Sequence, residues 1–171
     1  MNTLEFYQRQ INTSIGELYL VASNEGIRNC FWEPCASVTQ SNDYPVRIDY
    51  LFNVAESQIN EFLKGDRRQF TLPLDIRGTD FQVTVWEVLL KIPFGEVCTY
   101  SEVARRMGSP RSNRAVGSAI GKNPLCLFIP CHRVIRADGS LGGFSGGNSI
   151  KEQLLLLEKG FGARQEVPFR D

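Results

Sequence analysis

Two adjacent residues in the second half of the chain could together do nucleophilic chemistry. Cys131 is followed at once by His132, the only histidine among 171 residues. A thiol attacks carbon as its thiolate, so some group must take the proton. An imidazole is the one side chain here able to exchange a proton readily near neutral pH. Adjacent side chains rarely point the same way, so a bridging water is the expected link between sulfur and ring. A carboxylate beyond the ring would hold its tautomer and stabilise the imidazolium as it forms. Glu158 is the favoured candidate, on a helical stretch spanning 150–159 (IKEQLLLLEK), and Glu152 is its competitor. The plainer alternatives are an inert buried thiol, a structural histidine and two exposed carboxylates.

The charge distribution adds a second signal. The formal net charge is zero, which taken alone argues against nucleic acid as a partner. From Val103 to Ala137, however, there is no Asp or Glu, while Arg105, Arg106, Arg111, Arg114, Lys122, Arg133 and Arg136 all fall there. A basic field confined to one segment is expected of a phosphate-contacting face. A solvated surface balanced by acids elsewhere would look the same.

Composition bounds the rest. An apolar share of 42% and a charged share of 22% are those of an ordinary soluble globular chain, with length for one domain or two small ones. The polar start, MNTLEFYQRQINTS, does not read as a signal peptide, and no apolar run approaches membrane-spanning length. The expected location is the cytoplasm. Five cysteines (Cys30, Cys35, Cys98, Cys126, Cys131) make no compact disulfide framework and fit a reducing compartment. Cys30 and Cys35 lack a second pair or a nearby histidine, so no metal site is expected.

The elements that must position these residues follow from pattern. Residues 17–22 alternate polar and apolar, 24–26 (NEG) punctuate, and 27–32 resume an extended pattern, which predicts a hairpin. Leu51, Val54, Ala55, Ile59, Phe62 and Leu63 share one face of a helix that Gly65 stops. Residues 65–79 read as a linker with a short extended piece at 70–74. Thr79 and Asp80 offer an N-cap for a helix with Phe81, Val85, Val88 and Leu89 on its apolar stripe. After a short extended piece at 97–100, Ser101 is the expected cap of a helix ending near Met107. Residues 108–110 (GSP) turn, and 113–120 (NRAVGSAI) form a second helix, giving a helix-turn-helix pattern. That helix is slim, since Ala115, Gly117, Ser118 and Ala119 are all small. Small residues serve tight helix packing or close approach to DNA within a narrow minor groove. The apolar run from Leu125 reads as a strand ended by Pro130, which would present Cys131 at the end of a buried element.

The run IPCHRVI, preceded by RAVG and Asn-Pro and followed by FSGG and KEQLLLLE, resembles the O6-alkylguanine-DNA alkyltransferase family. The likeness covers roughly Thr79 to Gly160. The upstream LPLDIRGT and FQ…VW…L…IPFGEV…Y segments are similar to it too, and the N-terminal part only in size and layout. The resemblance implies an α+β fold: a small N-terminal α/β, ribonuclease-H-like domain over 1–78, a mostly helical alkyltransferase domain with a helix-turn-helix over 79–164, and a tail at 165–171. It implies that Cys131 accepts the alkyl group irreversibly, while His132 (through a water) and Glu158 complete a proton relay. Arg114 matches the arginine that enters the base stack where the damaged nucleotide is extruded. Tyr100 matches the tyrosine that bonds the flipped guanine and crowds its 3′ phosphate. The Ser145 backbone would donate to O6, and the Cys131 and Val134 carbonyls would accept from the guanine amino group. Asn123 would tie the recognition helix to the active-site strand. Phe144 stands where some members carry tyrosine, so that hydroxyl contact is lost. Arg111, Ala115, Gly117 and Ser118 fall on the implied DNA face. The implied partner is duplex DNA carrying O6-alkylguanine, with O4-alkylthymine as a second lesion, met through the minor groove by a monomer that uses no cofactor; cooperative assembly on DNA is left open.

Two other functions compete. A cysteine hydrolase would use Cys131 with His132, but such enzymes usually draw cysteine and histidine from distant positions. A non-catalytic lesion binder or regulator on the same helix-turn-helix would not need Cys131, which is present.

Overall fold

The computed structural model describes residues 5–38 and 43–161. The tail expected at 165–171 lies outside them. The architecture is mixed α/β, in two compact units, Met1–Arg77 and Gly78–Asp171. Among the described residues no helix is long and apolar enough to cross a membrane.

In the first unit β1 (Tyr7–Thr13), β2 (Gly16–Ser23) and β3 (Gly26–Phe31) form an antiparallel sheet in the order β1-β2-β3. The hairpin read from the alternation is β2–β3. Strand β1 was not legible, because it buries Gln8 beside Ile11 instead of an apolar row. The Gln8 amide is satisfied by the chain itself, accepting from the Cys35 N–H at 2.6 Å. Helix α1 (Val46–Lys64) packs on β1 and β2 and ends in a left-handed Gly65. It starts a turn before the expected Leu51, directly after Pro45, and its buried face takes in Phe52 and Gln58 while Val54 and Leu63 are half-buried. The piece expected at 70–74 is extended only enough to bridge Leu74 to Ile27. Gly26 has to be glycine there: at φ +154° a Cβ would sit 2.4 Å from the Pro73 carbonyl oxygen.

The second unit is mostly helical. Helix α2 (Asp80–Leu90) has its N-cap at Thr79, within the Thr79–Asp80 pair the sequence offers, and Gln82 completes a capping box with it. Strand β4 (Cys98–Thr99) leads straight into helix α3 (Tyr100–Arg106), and helix α4 (Asn113–Gly121) follows. The cap of α3 is Thr99 and not Ser101. Thr99 forms a reciprocal box with Glu102, whose carboxylate accepts from the Thr99 N–H at 2.6 Å, so Tyr100 becomes the first helical residue. Helices α2, α3 and α4 pack on one another, and the Trp86 indole donates to the Ala119 carbonyl at 2.9 Å. Strand β5 (Val134–Ile135) pairs in parallel with β4, Cys98 opposite Val134. Helix α5 (Asn148–Phe161) closes the unit against the turn that carries Cys131.

Candidate active site

The run before Cys131 is not a strand. Residues 125–130 form a compact reversal: the Ile129 N–H donates to the Leu125 carbonyl at 2.8 Å, and Leu127 takes a left-handed φ of +73°. Apolar composition gave the burial correctly and the conformation wrongly, since a short buried run carries no period. Asn123 holds the reversal closed. Its side chain donates to the Ile129 carbonyl at 3.0 Å and accepts from the Leu125 N–H at 2.9 Å. Asn123 directly follows the C-cap of α4, so it links that helix to a turn rather than to a strand. Beyond Pro130 the chain makes a single 3₁₀ turn, Cys131–Arg133, and enters β5.

Behind Cys131 lies a buried ion network. Glu158, from the inner face of α5, accepts from His132 Nε2 at 2.6 Å, and both side chains are sealed from solvent. Arg133 reaches the same carboxylate through Nε, at 2.9 Å and 3.1 Å to its two oxygens, and through Nη2 at 2.9 Å, while Nη1 donates to the Ile92 carbonyl at 2.6 Å. The Gly95 N–H adds a bond of 3.0 Å. Burial pushes the Glu158 carboxyl up, but the His132 bond and the Arg133 cation outweigh it and hold the group down at about 2. Burial, joined by the Arg133 and Lys151 cations, depresses the His132 imidazole against the pull of Glu158. Arg133 already neutralises the carboxylate, which weakens its pull on an imidazolium proton. At neutral pH the ring is therefore neutral, with its proton on Nε2 toward Glu158 and a lone pair on Nδ1. That is the tautomer a general base requires. Glu152 is exposed and takes no part.

Cys131 opens into a cleft of about 480 Å³, lined by Tyr100, Gly117, Ile120, Gly121, Arg136, Gly143, Phe144 and Ser145 besides the cysteine. Volumes of this size admit a small-molecule or single-base ligand. The neighbouring Cys126 side chain, with help from Asn123 and the Lys151 cation, holds the Cys131 thiol below its ordinary range against the effect of burial. Tyr100 is shifted the other way: burial raises its phenol, which stays protonated and able to donate. Its hydroxyl leaves no room for a side chain at 142, where a Cβ would lie 2.8 Å away on a backbone at φ +71°. Phe144 stands edge-on to the His132 ring, with centroids 6.5 Å apart. Val134 departs from the expected set. It is buried and does not line the cleft, and its carbonyl already accepts the Lys151 ammonium at 2.6 Å. One lone pair of that oxygen is therefore taken.

Helix α4 presents the implied DNA residues together. Arg111 in the preceding turn and Arg114, Ala115 and Ser118 on the helix are exposed, while Val116, Ala119 and Ile120 are buried. Gly117 faces inward at the cleft rim, where a Cβ would come within 3.8 Å of the Tyr100 ring. Arg133 does not belong to the basic face on which its charge was counted, because it is spent inside on Glu158.

Residues 80–160 match the family described as 6-O-methylguanine DNA methyltransferase, DNA binding domain. A Mycobacterium bovis methylated-DNA–protein-cysteine methyltransferase is 49% identical over 108 residues, which are 63% of this chain and 66% of that protein. A protein of the same name from Methanosarcina acetivorans is 37% identical over 152 residues, covering 89% of this chain and 97% of its own length. The chain belongs to the methylated-DNA–protein-cysteine methyltransferase family. A crystal structure of Mycobacterium tuberculosis OGT in complex with DNA superposes with a TM-score of 0.82 at 39% identity, over 91% of this chain and 94% of that one.

In this family member, residue pattern alone does not single out three groups that the fold gathers near Cys131. Lys151 is fully buried, donates to the carbonyls of Val134, Leu141 and Gly143, and is brought down by burial to about 8. Arg133 anchors the carboxylate, and the Cys126 side chain is the largest influence lowering the Cys131 thiol. Lys151 had a readable signal. It shares the apolar stripe of α5 with Leu154, Leu155 and Glu158, at offsets of three, four and seven residues. A charge on such a stripe is buried and must be bonded.

Proposed function

We propose that this chain repairs duplex DNA by transferring the alkyl group of O6-alkylguanine, and of O4-alkylthymine, irreversibly to Cys131. The observation that carries the reading is the placement of an activated sulfur at the inner end of a base-sized cleft, backed by the buried His132–Glu158 pair. A stacked base is out of reach of any side chain, so the nucleotide must rotate into the cleft, at a cost of a few kcal/mol. The helix α3, its turn and α4 act as a helix-turn-helix whose slim exposed face at Ala115 and Ser118 suits the minor groove. Arg114 enters the vacated stack. We read the first unit as a ribonuclease-H-like support, with residues 79–164 carrying the chemistry. The protein works as a cytoplasmic monomer, where reducing conditions keep its thiols free.

The transfer needs little machinery. The Cys131 proton passes through a water to His132 Nδ1, and Glu158 stabilises the imidazolium. Sulfur attacks the alkyl carbon in line, and the carbon–O6 bond breaks. Tyr100 offers a proton to N3 of the departing guanine, so the thiol proton is in effect exchanged for the alkyl group. The Ser145 backbone donates to O6, and the Cys131 and Val134 carbonyls bind the amino group through their remaining lone pairs. A thioether has no route back to thiol here, so one chain repairs one lesion. Titration with alkylated duplex tests this: transfer should stop at one alkyl group per chain, whereas continued turnover on an ester or amide would favour a hydrolase.

Arg114→Ala separates flipping from chemistry. Losing about 3 kcal/mol of support for the extruded state slows repair of duplex by roughly 10²-fold. Reaction with free O6-benzylguanine, which needs no flipping, should be nearly unchanged. Equal losses on both substrates would remove Arg114 from that role.

A further inference from the structure

Cys126 and Cys131 stand at the two ends of one tight reversal of the chain. The chain reverses between the two cysteines through the left-handed Leu127, and Asn123 clamps both ends of the reversal. A left-handed non-glycine residue is strained and persists only where its surroundings enforce it. The reversal brings Ile129 back into a bridge with Cys126, and the Cys131 N–H donates to the Ile129 carbonyl at 2.8 Å; the Cys126 side chain is the largest influence lowering the Cys131 thiol. Cys126 Sγ also lies 2.9 Å from the hydroxyl of Ser145, which lines the same cleft as Cys131. Neither cysteine is in a disulfide. The two differ in access: Cys131 opens on the cleft, while Cys126 is buried outside its lining.

We propose that Cys126 and Cys131 are a reversible redox pair in which a peroxide oxidises Cys131 and Cys126 then closes on it as a disulfide. The Cys131 thiolate attacks one oxygen of hydrogen peroxide, the O–O bond breaks, and hydroxide leaves, giving Cys131 sulfenic acid. The Cys126 sulfur then attacks the sulfenic sulfur. The S–O bond breaks, the Cys126 proton departs with the oxygen as water, and the peroxide has been reduced by two electrons. A dithiol reductant restores both thiols by exchange. The chemistry suits a thiolate that is accessible and has a resolving thiol beside it. Its consequence rests on the proposed repair function. A sulfur that can be used once is lost for good if it proceeds to sulfinic acid, and the disulfide holds it in a recoverable form that accepts no alkyl group.

The test uses the full chain, wild type and Cys126→Ser, exposed to hydrogen peroxide and then blocked with a thiol reagent without reduction. Both cysteines fall in one tryptic peptide, residues 123–133, because no Lys or Arg intervenes between Lys122 and Arg133. In the wild type that peptide should lose two hydrogens and resist blocking, and a dithiol should reverse both changes. Recovery of alkyl acceptance after the dithiol should be roughly tenfold greater in the wild type than in Cys126→Ser, whose Cys131 proceeds to sulfinic acid. Sulfinic acid on wild-type Cys131 with no linked peptide overturns the pair, and this readout does not depend on the variant folding. A reduced aliquot given methylated duplex is read in parallel. Alkyl acceptance without linkage defeats only the redox pair, and linkage without alkyl acceptance defeats only the repair reading.

Discussion

Cys131→Ala should abolish alkyl transfer, lowering the rate by roughly 10³-fold or more, since no other group can take over as nucleophile. Four cysteines remain in that variant, and the structure gives each a reason to stay silent. Cys30 is buried in β3 of the other unit. Cys98 is buried in β4, and burial raises its thiol above the ordinary range. Cys35 sits in the first unit at the end of the Gln8 contact, remote in sequence from any carboxylate–imidazole pair. Cys126 is the nearest rival, but it is buried and does not line the cleft. Affinity for undamaged duplex should survive, because Arg111, Arg114 and the slim face of α4 are untouched. Undiminished transfer by this variant, measured with an alkylated oligonucleotide, would remove the sulfur from the centre of the account.

Glu158→Gln should do two kinds of damage at once. The change leaves the Arg133 guanidinium buried without its counter-charge, and breaking a buried pair in this way costs about 3–5 kcal/mol. It also removes the charge that stabilises a His132 imidazolium, which should slow alkylation of Cys131 by roughly 10²-fold. Thermal unfolding reads the first effect, and the pH–rate profile reads the second. A variant as stable as the wild type, with an unchanged profile, would rule out the network in both roles. The same carboxylate makes the fold acid-sensitive. Its folded value of about 2 lies below the ordinary 4.5, so its contribution, on the order of 3 kcal/mol, is complete above 4.5 and lost as pH falls toward 2. His132 acts in the same direction and earlier. Burial depresses its folded value below the ordinary 6.5, so the unfolded chain takes up a proton first as pH drops below 6.5. Stability should fall continuously on acidification in the wild type, and much less steeply below 4.5 in Glu158→Gln.

Much of this site could be read from residues alone, for reasons that differ by element. Cys131 and His132 are contiguous, so they stand out as candidates without any knowledge of the fold. Glu158 lies on a helical stripe whose period announces its face, and the structure brings it to His132. The same period would have exposed Lys151 had the stripe been followed one turn back. Arg133 was counted with the basic face because nothing local marks a single arginine as buried; only the approach of α5 decides it. The reversal at 125–130 was read as a strand because apolar runs report burial and not conformation, and its shape depends on Asn123 reaching back across the turn. Thr99 displaced Ser101 as the cap of α3 because Glu102 completes a reciprocal box only with Thr99. That two-residue difference places Tyr100 at the head of the helix, where it lines the cleft.

The most direct measurement is the intact mass of the wild-type protein after incubation with excess O6-methylguanine duplex, followed by peptide mapping of the product. The account predicts a shift of one methyl group per chain, all of it on the sulfur of Cys131, with no further gain on longer incubation. An unmodified protein, or a methyl group found on any other residue, would contradict it.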